Sequence, residues 1–127
     1  MRIRDVVSPT LGIRSEEPSG LTLERMHAMG VEHLIVTGSN GIQGVVSESD
    51  ISRACSINPA TPVGELAVDV PILDCDAPVQ EAAKLMRDRK ISCLPVVDGL
   101  TLAGVVTIER LLELIGKGMV HTGRRHK

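Results

Sequence analysis

Apolar residues in the second half of the chain recur first with a helical period and then in two continuous runs. The helical spacing begins behind Pro78, a residue that the first turn of a helix tolerates. The two runs flank the turn signal Asp98-Gly99 and so predict a pair of strands. Helical spacing then returns and stops near Gly116. The predicted elements are a helix over 78–89, strands over 91–97 and 102–106, and a helix over 108–115.

The first half of the chain follows the same order. Its turn lies between Gly38 and Gly41, and the segment Asn58-Pro-Ala-Thr-Pro62 interrupts the pattern before the second half begins. The predicted elements are a helix over 19–29, strands over 32–37 and 42–46, and a helix from Glu48 to about Cys55.

An internal repeat accounts for this agreement. Residues 3–51 align with residues 63–111 without an insertion or a deletion, and the identities fall on glycine, proline and apolar positions. The sequence therefore predicts one repeat over 1–60, a second over 61–118, and a basic tail over 119–127. Each repeat would carry a small sheet with helices on one face. Packing the two sheets together predicts an α/β (α+β) fold of two pseudo-twofold-related helix-strand-strand-helix repeats.

The amino-acid composition restricts the kinds of partner that the protein is expected to bind. The chain has a net charge of −2, with acids and bases interspersed, which argues against a nucleic-acid or membrane-surface protein. The basic tail is expected to be a solvated terminus, and binding of RNA or DNA through it is the weakest alternative. With no long apolar run and no signal peptide at Met1, the protein is expected to be cytoplasmic and free of membrane. Since Phe, Tyr and Trp are absent, aliphatic walls must hold any planar ligand.

Catalytic and metal-binding patterns are missing from the sequence. The three cysteines form no CxxC pair, and the four histidines show no metal-ligand spacing with them. The sequence contains no phosphate-binding loop, and no nucleophile is paired with a base at a recognisable spacing. We therefore expect a protein that is not an enzyme and that requires no metal or cofactor.

The segment Gly44-Val-Val-Ser-Glu-Ser-Asp50 places a hydroxyl group and a carboxylate where a strand ends and a helix begins. A carboxylate can accept both vicinal hydroxyls of a ribose, while a hydroxyl group and helix N-terminal amides suit phosphate. The same spacing of Ser47 and Asp50 is also typical of a helix cap that satisfies unpaired amides. Both interpretations are open from these residues alone.

The lead-in Ile3-Arg-Asp-Val-Val-Ser-Pro9 and the paired segments from Gly44 and from Gly104 resemble a tandem pair of CBS domains, a Bateman module, here as a stand-alone protein. The resemblance implies that Ser47 and Asp50 bind the phosphate and ribose of an adenosine ligand. It also implies that they face aliphatic and small residues, which would hold the adenine. These residues are Val70, Ile72, Ile91 and Cys93.

The equivalent position in the second repeat departs from the family pattern. Thr107 retains the hydroxyl group, but Arg110 replaces the ribose-binding carboxylate. Arg110 would pair with a phosphate instead, assisted by His33, which stands where the family often has a phosphate-contacting residue. This asymmetry favours one ligand per chain, bound by Asp50.

Two functions are consistent with these features of the sequence. The first is a regulatory module that senses an adenine nucleotide (AMP, ADP or ATP), with S-adenosylmethionine as an alternative ligand, and transmits a conformational change to an unknown regulated protein. The resemblance also implies a homodimer formed through the helices. The alternative is a ligand-free oligomerisation domain, in which Ser47 and Asp50 serve only as caps.

Overall fold

A computed structural model describes residues 1–118, and the predicted basic tail at 119–127 lies outside this range. The described residues form helices α1 (Ser19–Met29), α2 (Glu48–Ile57), α3 (Val79–Arg89) and α4 (Ile108–Gly116). The strands are β1 (Gly12–Arg14), β2 (His33–Gly38), β3 (Gly41–Ser47), β4 (Leu73–Asp74), β5 (Cys93–Asp98) and β6 (Thr101–Thr107). Short 3₁₀ helices lie at Ile3–Asp5 and Val63–Glu65.

The predicted order of helix, strand, strand, helix is confirmed in both repeats. Two short strands, β1 and β4, were not predicted, because two or three residues cannot display a period. Each pairs in parallel with the strand that follows the next helix, so that the sheets have the orders β1-β2-β3 and β4-β5-β6. Within residues 1–118, four helices and two three-stranded sheets confirm the α+β class.

The chain folds into two compact units. Residues Thr10–Val70 form the first-repeat unit, and Met1–Pro9 joins residues 71–118 in the second-repeat unit. The lead-in segment of each repeat thus packs in the unit of the other repeat.

The first-repeat unit has an aliphatic core to which the lead-in of the second repeat contributes Val63. Backbone hydrogen bonds hold this lead-in at Val63, whose amide donates to the Glu17 carbonyl at 2.9 Å, and at Gly64, whose amide donates to the Ser15 carbonyl at 2.9 Å. The core consists of Ile13, Met26, Leu34, Val36, Val46, Ile51 and Val63.

The second-repeat unit receives the N-terminal segment in the equivalent way. Ile3 and Val6 are buried, and the amide of Ile3 donates to the Ala77 carbonyl at 2.9 Å. The guanidinium group of Arg4 forms an ion pair with Asp76. Residue Ser8 then forms an antiparallel bridge with Val105 of β6.

Glycine is required where a lead-in segment crosses β3 or β6. A Cβ atom added at Gly44 would lie 2.3 Å from the carbonyl oxygen of Val68, and one added at Gly104 would lie 2.2 Å from that of Ser8. No real Cβ approaches a backbone atom so closely. Each glycine therefore lets a second backbone lie against the strand that leads into α2 or α4.

None of the helices within residues 1–118 is long and apolar enough to cross a membrane.

Candidate ligand-binding site at the start of helix α2

Ser47 ends β3 in an extended conformation and is the N-cap residue of α2. Its Oγ accepts a hydrogen bond from the amide of Asp50 at 3.2 Å, and the amide of Glu48 donates to the Glu32 carbonyl at 2.9 Å. The helix cap expected from the sequence is therefore present. A hydroxyl group has two lone pairs and a proton, so capping leaves Ser47 with capacity for a ligand.

Asp50 lies in the first turn of α2 with its side chain 42% exposed. Its Oδ1 accepts a hydrogen bond from the Arg53 guanidinium at 2.9 Å, one helical turn further on. Such an exposed pair is worth less than about 1 kcal/mol, so a ligand can replace it at little cost. The carboxylate is accessible for the bidentate contact that a ribose requires.

The segment 68–70 lies beside β3 in the same unit as Ser47 and Asp50. Val45 and Val68 exchange two backbone hydrogen bonds, of 3.0 and 2.9 Å. Val70 follows and is 9% exposed. The structure thus brings Val70 into the unit that carries the hydroxyl group and the carboxylate.

The other three residues predicted for the adenine lie in the second-repeat unit. Ile72 is exposed, Ile91 is half-buried, and Cys93 is buried at the start of β5. Burial raises the pKa of the Cys93 thiol to about 12, with a smaller contribution from the charge of Glu109. Cys93 is therefore a neutral thiol at physiological pH.

Thr107 and Arg110 repeat the cap geometry of the first site without its carboxylate. Thr107 Oγ1 accepts a hydrogen bond from the Arg110 amide at 3.3 Å. The guanidinium group of Arg110 donates to Glu113 at 2.7 Å. Glu113 thus offsets the positive charge expected to attract a phosphate.

His33 begins β2 and lies opposite Ser47 in the antiparallel pairing of β2 with β3. Its carbonyl accepts a hydrogen bond from the Thr10 hydroxyl group at 3.0 Å. Within the first-repeat unit, His33 is therefore a neighbour of the Ser47 strand end.

Three further residues around the start of α2 were not singled out from the sequence. Glu48 and His27 of α1 approach each other at 3.2 Å, and Arg53 pairs with Asp50. The Asp50–Arg53 spacing of three residues on a helix was a usable signal. The contact between Glu48 and His27 depends on how α1 packs against α2, so no local pattern predicts it.

A cluster in the second-repeat unit combines Asp74, Cys75 and Asp76, whose potential ligand atoms lie within 4.8 Å of one another. The Arg4 guanidinium already occupies this cluster, bonding to Asp76 and to Cys75 Sγ at 3.1 Å. Burial and a hydrogen bond with Asp98 raise the pKa of the Cys75 thiol, which opposes metal ligation. The cluster is thus an intramolecular ion-pair site.

Comparison with known families agrees with this architecture. The family model for the CBS domain matches residues 3–57 and again residues 63–117. The chain belongs to the CBS domain family. The resemblance inferred from the sequence is thereby confirmed, and each CBS match ends with the helix that the Ser47 or Thr107 cap begins.

Solved CBS domain proteins share the fold. The CBS domain pair of protein MJ0100, in complex with 5′-methylthioadenosine and S-adenosyl-L-methionine, is 26% identical with a TM-score of 0.77, over 91% of this chain and 100% of that one. The CBS domain protein PAE2072 from Pyrobaculum aerophilum, complexed with AMP, is 24% identical with a TM-score of 0.74, over 91% of this chain and 99% of that one.

Curated relatives are longer proteins. Homoserine O-acetyltransferase from Methanohalophilus mahii is 30% identical over 124 residues, a match that covers 93% of this chain and 25% of the relative. The corresponding enzyme from Methanosphaerula palustris is 28% identical over 119 residues, covering 91% of this chain and 24% of the relative. The chain thus spans about a quarter of the length of these relatives.

Proposed function

We propose that this CBS pair is a regulatory module that binds an adenosine-containing ligand at Ser47 and Asp50. The observation that carries the proposal is the juxtaposition of a capping hydroxyl group and an accessible carboxylate at the start of α2. In this proposal Asp50 accepts the ribose hydroxyls, and Ser47 contacts the substituent on the 5′ carbon.

The adenine would lie against aliphatic side chains. Val70 is the candidate from the same unit. Ile72, Ile91 and Cys93 complete the proposed set by family resemblance, and their contribution is a proposal to be tested by substitution. Because the chain has no aromatic residue, recognition of the base would depend on shape and on main-chain groups.

The ligands of similar proteins support the adenosyl class. MJ0100 was solved with 5′-methylthioadenosine and S-adenosyl-L-methionine, and PAE2072 with AMP. AMP, ADP, ATP and S-adenosylmethionine are therefore the ligands to test. The match to homoserine O-acetyltransferases covers only about a quarter of those enzymes and gives no support for catalysis by this chain. In this proposal, ligand binding regulates a partner protein.

Calorimetric titration of the purified chain with these ligands tests the proposal. We expect one ligand per chain and at least tenfold weaker binding by Asp50→Ala, because the charged acceptor of the ribose is lost. Arg110→Ala changes the equivalent position of the second repeat and is the matched control, which should retain binding. Equal affinities of Asp50→Ala and the unchanged protein would refute the proposed site.

Oligomerisation is a second candidate, and one apolar groove favours it. The groove has a volume of 310 Å³ between α3 and α4, and the side chain of Leu112 at its rim is 60% exposed. We propose that a second copy associates through this helical face. In sedimentation, Leu112→Asp should shift the protein towards monomer, whereas Leu100→Asp at a hairpin turn should not. The lining residues are Ala83, Met86, Arg87, Ile108, Leu111, Leu112 and Ile115.

A further inference from the structure

The charged residues of the chain are unevenly distributed between its two units. Residues 10–70 contain eight carboxylates, three arginines and no lysine, a net charge of −5 with histidine counted as neutral. The described part of the second-repeat unit contains eight acidic and eight basic residues and is neutral. Ser47 and Asp50, which would bind the 5′ substituent and the ribose, therefore lie in the strongly acidic unit.

The same sign prevails at the start of α2. Glu48 and Asp50 both lie in the first turn of α2. Their partners His27 and Arg53 are largely exposed, at 59% and 74%, so water and salt screen both ion pairs. The helix N-terminus contributes about half a positive charge and Arg53 a whole one, and with histidine counted as neutral the two carboxylates still outweigh them.

We propose that this site selects an adenosyl ligand whose 5′ substituent is uncharged or cationic, in preference to AMP, ADP or ATP. The inference rests on the proposed function and narrows its ligand class. Glu48 is the specificity-determining residue, because it directly follows the hydroxyl group that would contact the 5′ substituent.

The preference follows from where the ligands differ. The adenine and the ribose hydroxyls are common to all of them, so the hydrogen bonds that Asp50 would accept from the ribose contribute equally to each. Glu48 follows Ser47 directly in the chain, so its carboxylate would repel a phosphate beside Ser47 over a distance comparable with the screening length of roughly 8 Å. A thioether carries no charge to repel, and a sulfonium is attracted.

Titrations at low and at physiological salt test this order. We expect 5′-methylthioadenosine and S-adenosylmethionine to bind at least tenfold more tightly than AMP, and ATP to bind more weakly than AMP. Added salt should strengthen the binding of AMP and weaken that of S-adenosylmethionine, since screening reduces repulsion and attraction alike. The affinity for 5′-methylthioadenosine should change least.

A charge-removing variant identifies the residue responsible. Glu48→Gln should raise the affinity for AMP relative to 5′-methylthioadenosine by roughly fivefold, the effect of one nearby charge at high effective dielectric. The matched control is Glu81→Gln, which removes the same charge from the second-repeat unit and should leave that ratio unchanged.

The possible outcomes distinguish the charge selection, the role of Glu48 and the proposed function. AMP or ATP binding as tightly as 5′-methylthioadenosine would overturn the charge selection while leaving the adenosyl site in place. A ratio unaffected by Glu48→Gln would overturn the role of Glu48. Failure of every adenosyl ligand to bind would refute the proposed function and this inference together.

Discussion

The hydroxyl groups of Ser47 and Thr107 make the same local contact in the two repeats. Each accepts a hydrogen bond from the amide three residues further on, at 3.2 and 3.3 Å. The neighbouring side chain differs, being the Asp50 carboxylate in one repeat and the Arg110 guanidinium in the other. The pair of repeats therefore separates the structural role of the hydroxyl group from its role in binding.

Replacing each cap by alanine tests this separation. Ser47→Ala and Thr107→Ala should each lower the free energy of unfolding by about 1 kcal/mol, because one helix amide loses its acceptor. Urea titrations followed by far-UV circular dichroism would measure this loss. Only Ser47→Ala should also weaken ligand binding, and equal effects of both variants on binding would contradict the assignment.

Cys93 gives a dependence of stability on pH. Burial raises the pKa of its thiol from 9.0 to about 12, so the unfolded chain loses this proton first. The stabilisation is complete below about pH 9. It falls by about 1.4 kcal/mol per pH unit as the pH rises from there towards 12. Unfolding curves between pH 8 and about 10.5 should show a flatter dependence for Cys93→Ala. An identical slope would show that this thiol ionises freely in the folded protein.

At the level of elements, the helices and the long strands could be predicted from the sequence, because the helices have a helical apolar period and the strands are largely apolar runs of five or more residues. The turn residues and the prolines before α1 and α3 set their limits. β1 and β4 form through pairing with β2 and β5, which is tertiary information. The same holds for the candidate site. The Ser47 cap could be predicted because it involves only neighbouring residues, whereas the contact of Glu48 with His27 depends on how two helices pack.

Gly44 is an element-scale position that is sensitive to substitution. Gly44→Ala would force β3 and the Val68 backbone apart, and we expect a loss of about 1–3 kcal/mol in the free energy of unfolding. Gly116→Ala in α4 is the control, because its added methyl group meets nothing within 4 Å. That control should change stability by no more than about 1 kcal/mol. Thermal unfolding with equal transitions for the two variants would contradict the close approach.

On the scale of the whole molecule, the chain crosses between its two units at Pro9–Thr10 and at Val70–Pro71. The repeat pattern alone assigns each lead-in to its own repeat, because sequence alignment carries no information about which unit buries a segment. The structure instead buries Ile3 in the second-repeat unit and Val63 in the first-repeat unit.

Ile3 and Val63 are equivalent positions of the repeat and provide a matched pair. Ile3→Ala should cost about 2–5 kcal/mol and reduce amide-exchange protection chiefly in residues 71–118. Val63→Ala should reduce protection chiefly in residues 10–70. Hydrogen exchange read by mass spectrometry would resolve the two regions. The reverse assignment would contradict the exchange of lead-in segments.

The most direct test of the central claim is an amide NMR titration with 5′-methylthioadenosine and, separately, with AMP. The account predicts that binding shifts the amide signals of Ser47–Asp50 and of residues 68–70, with small changes at residues 107–110. The changes with 5′-methylthioadenosine should saturate at the lower ligand concentration. Spectra that do not change with either ligand, or that change mainly around Thr107, would contradict an adenosyl site at Ser47 and Asp50.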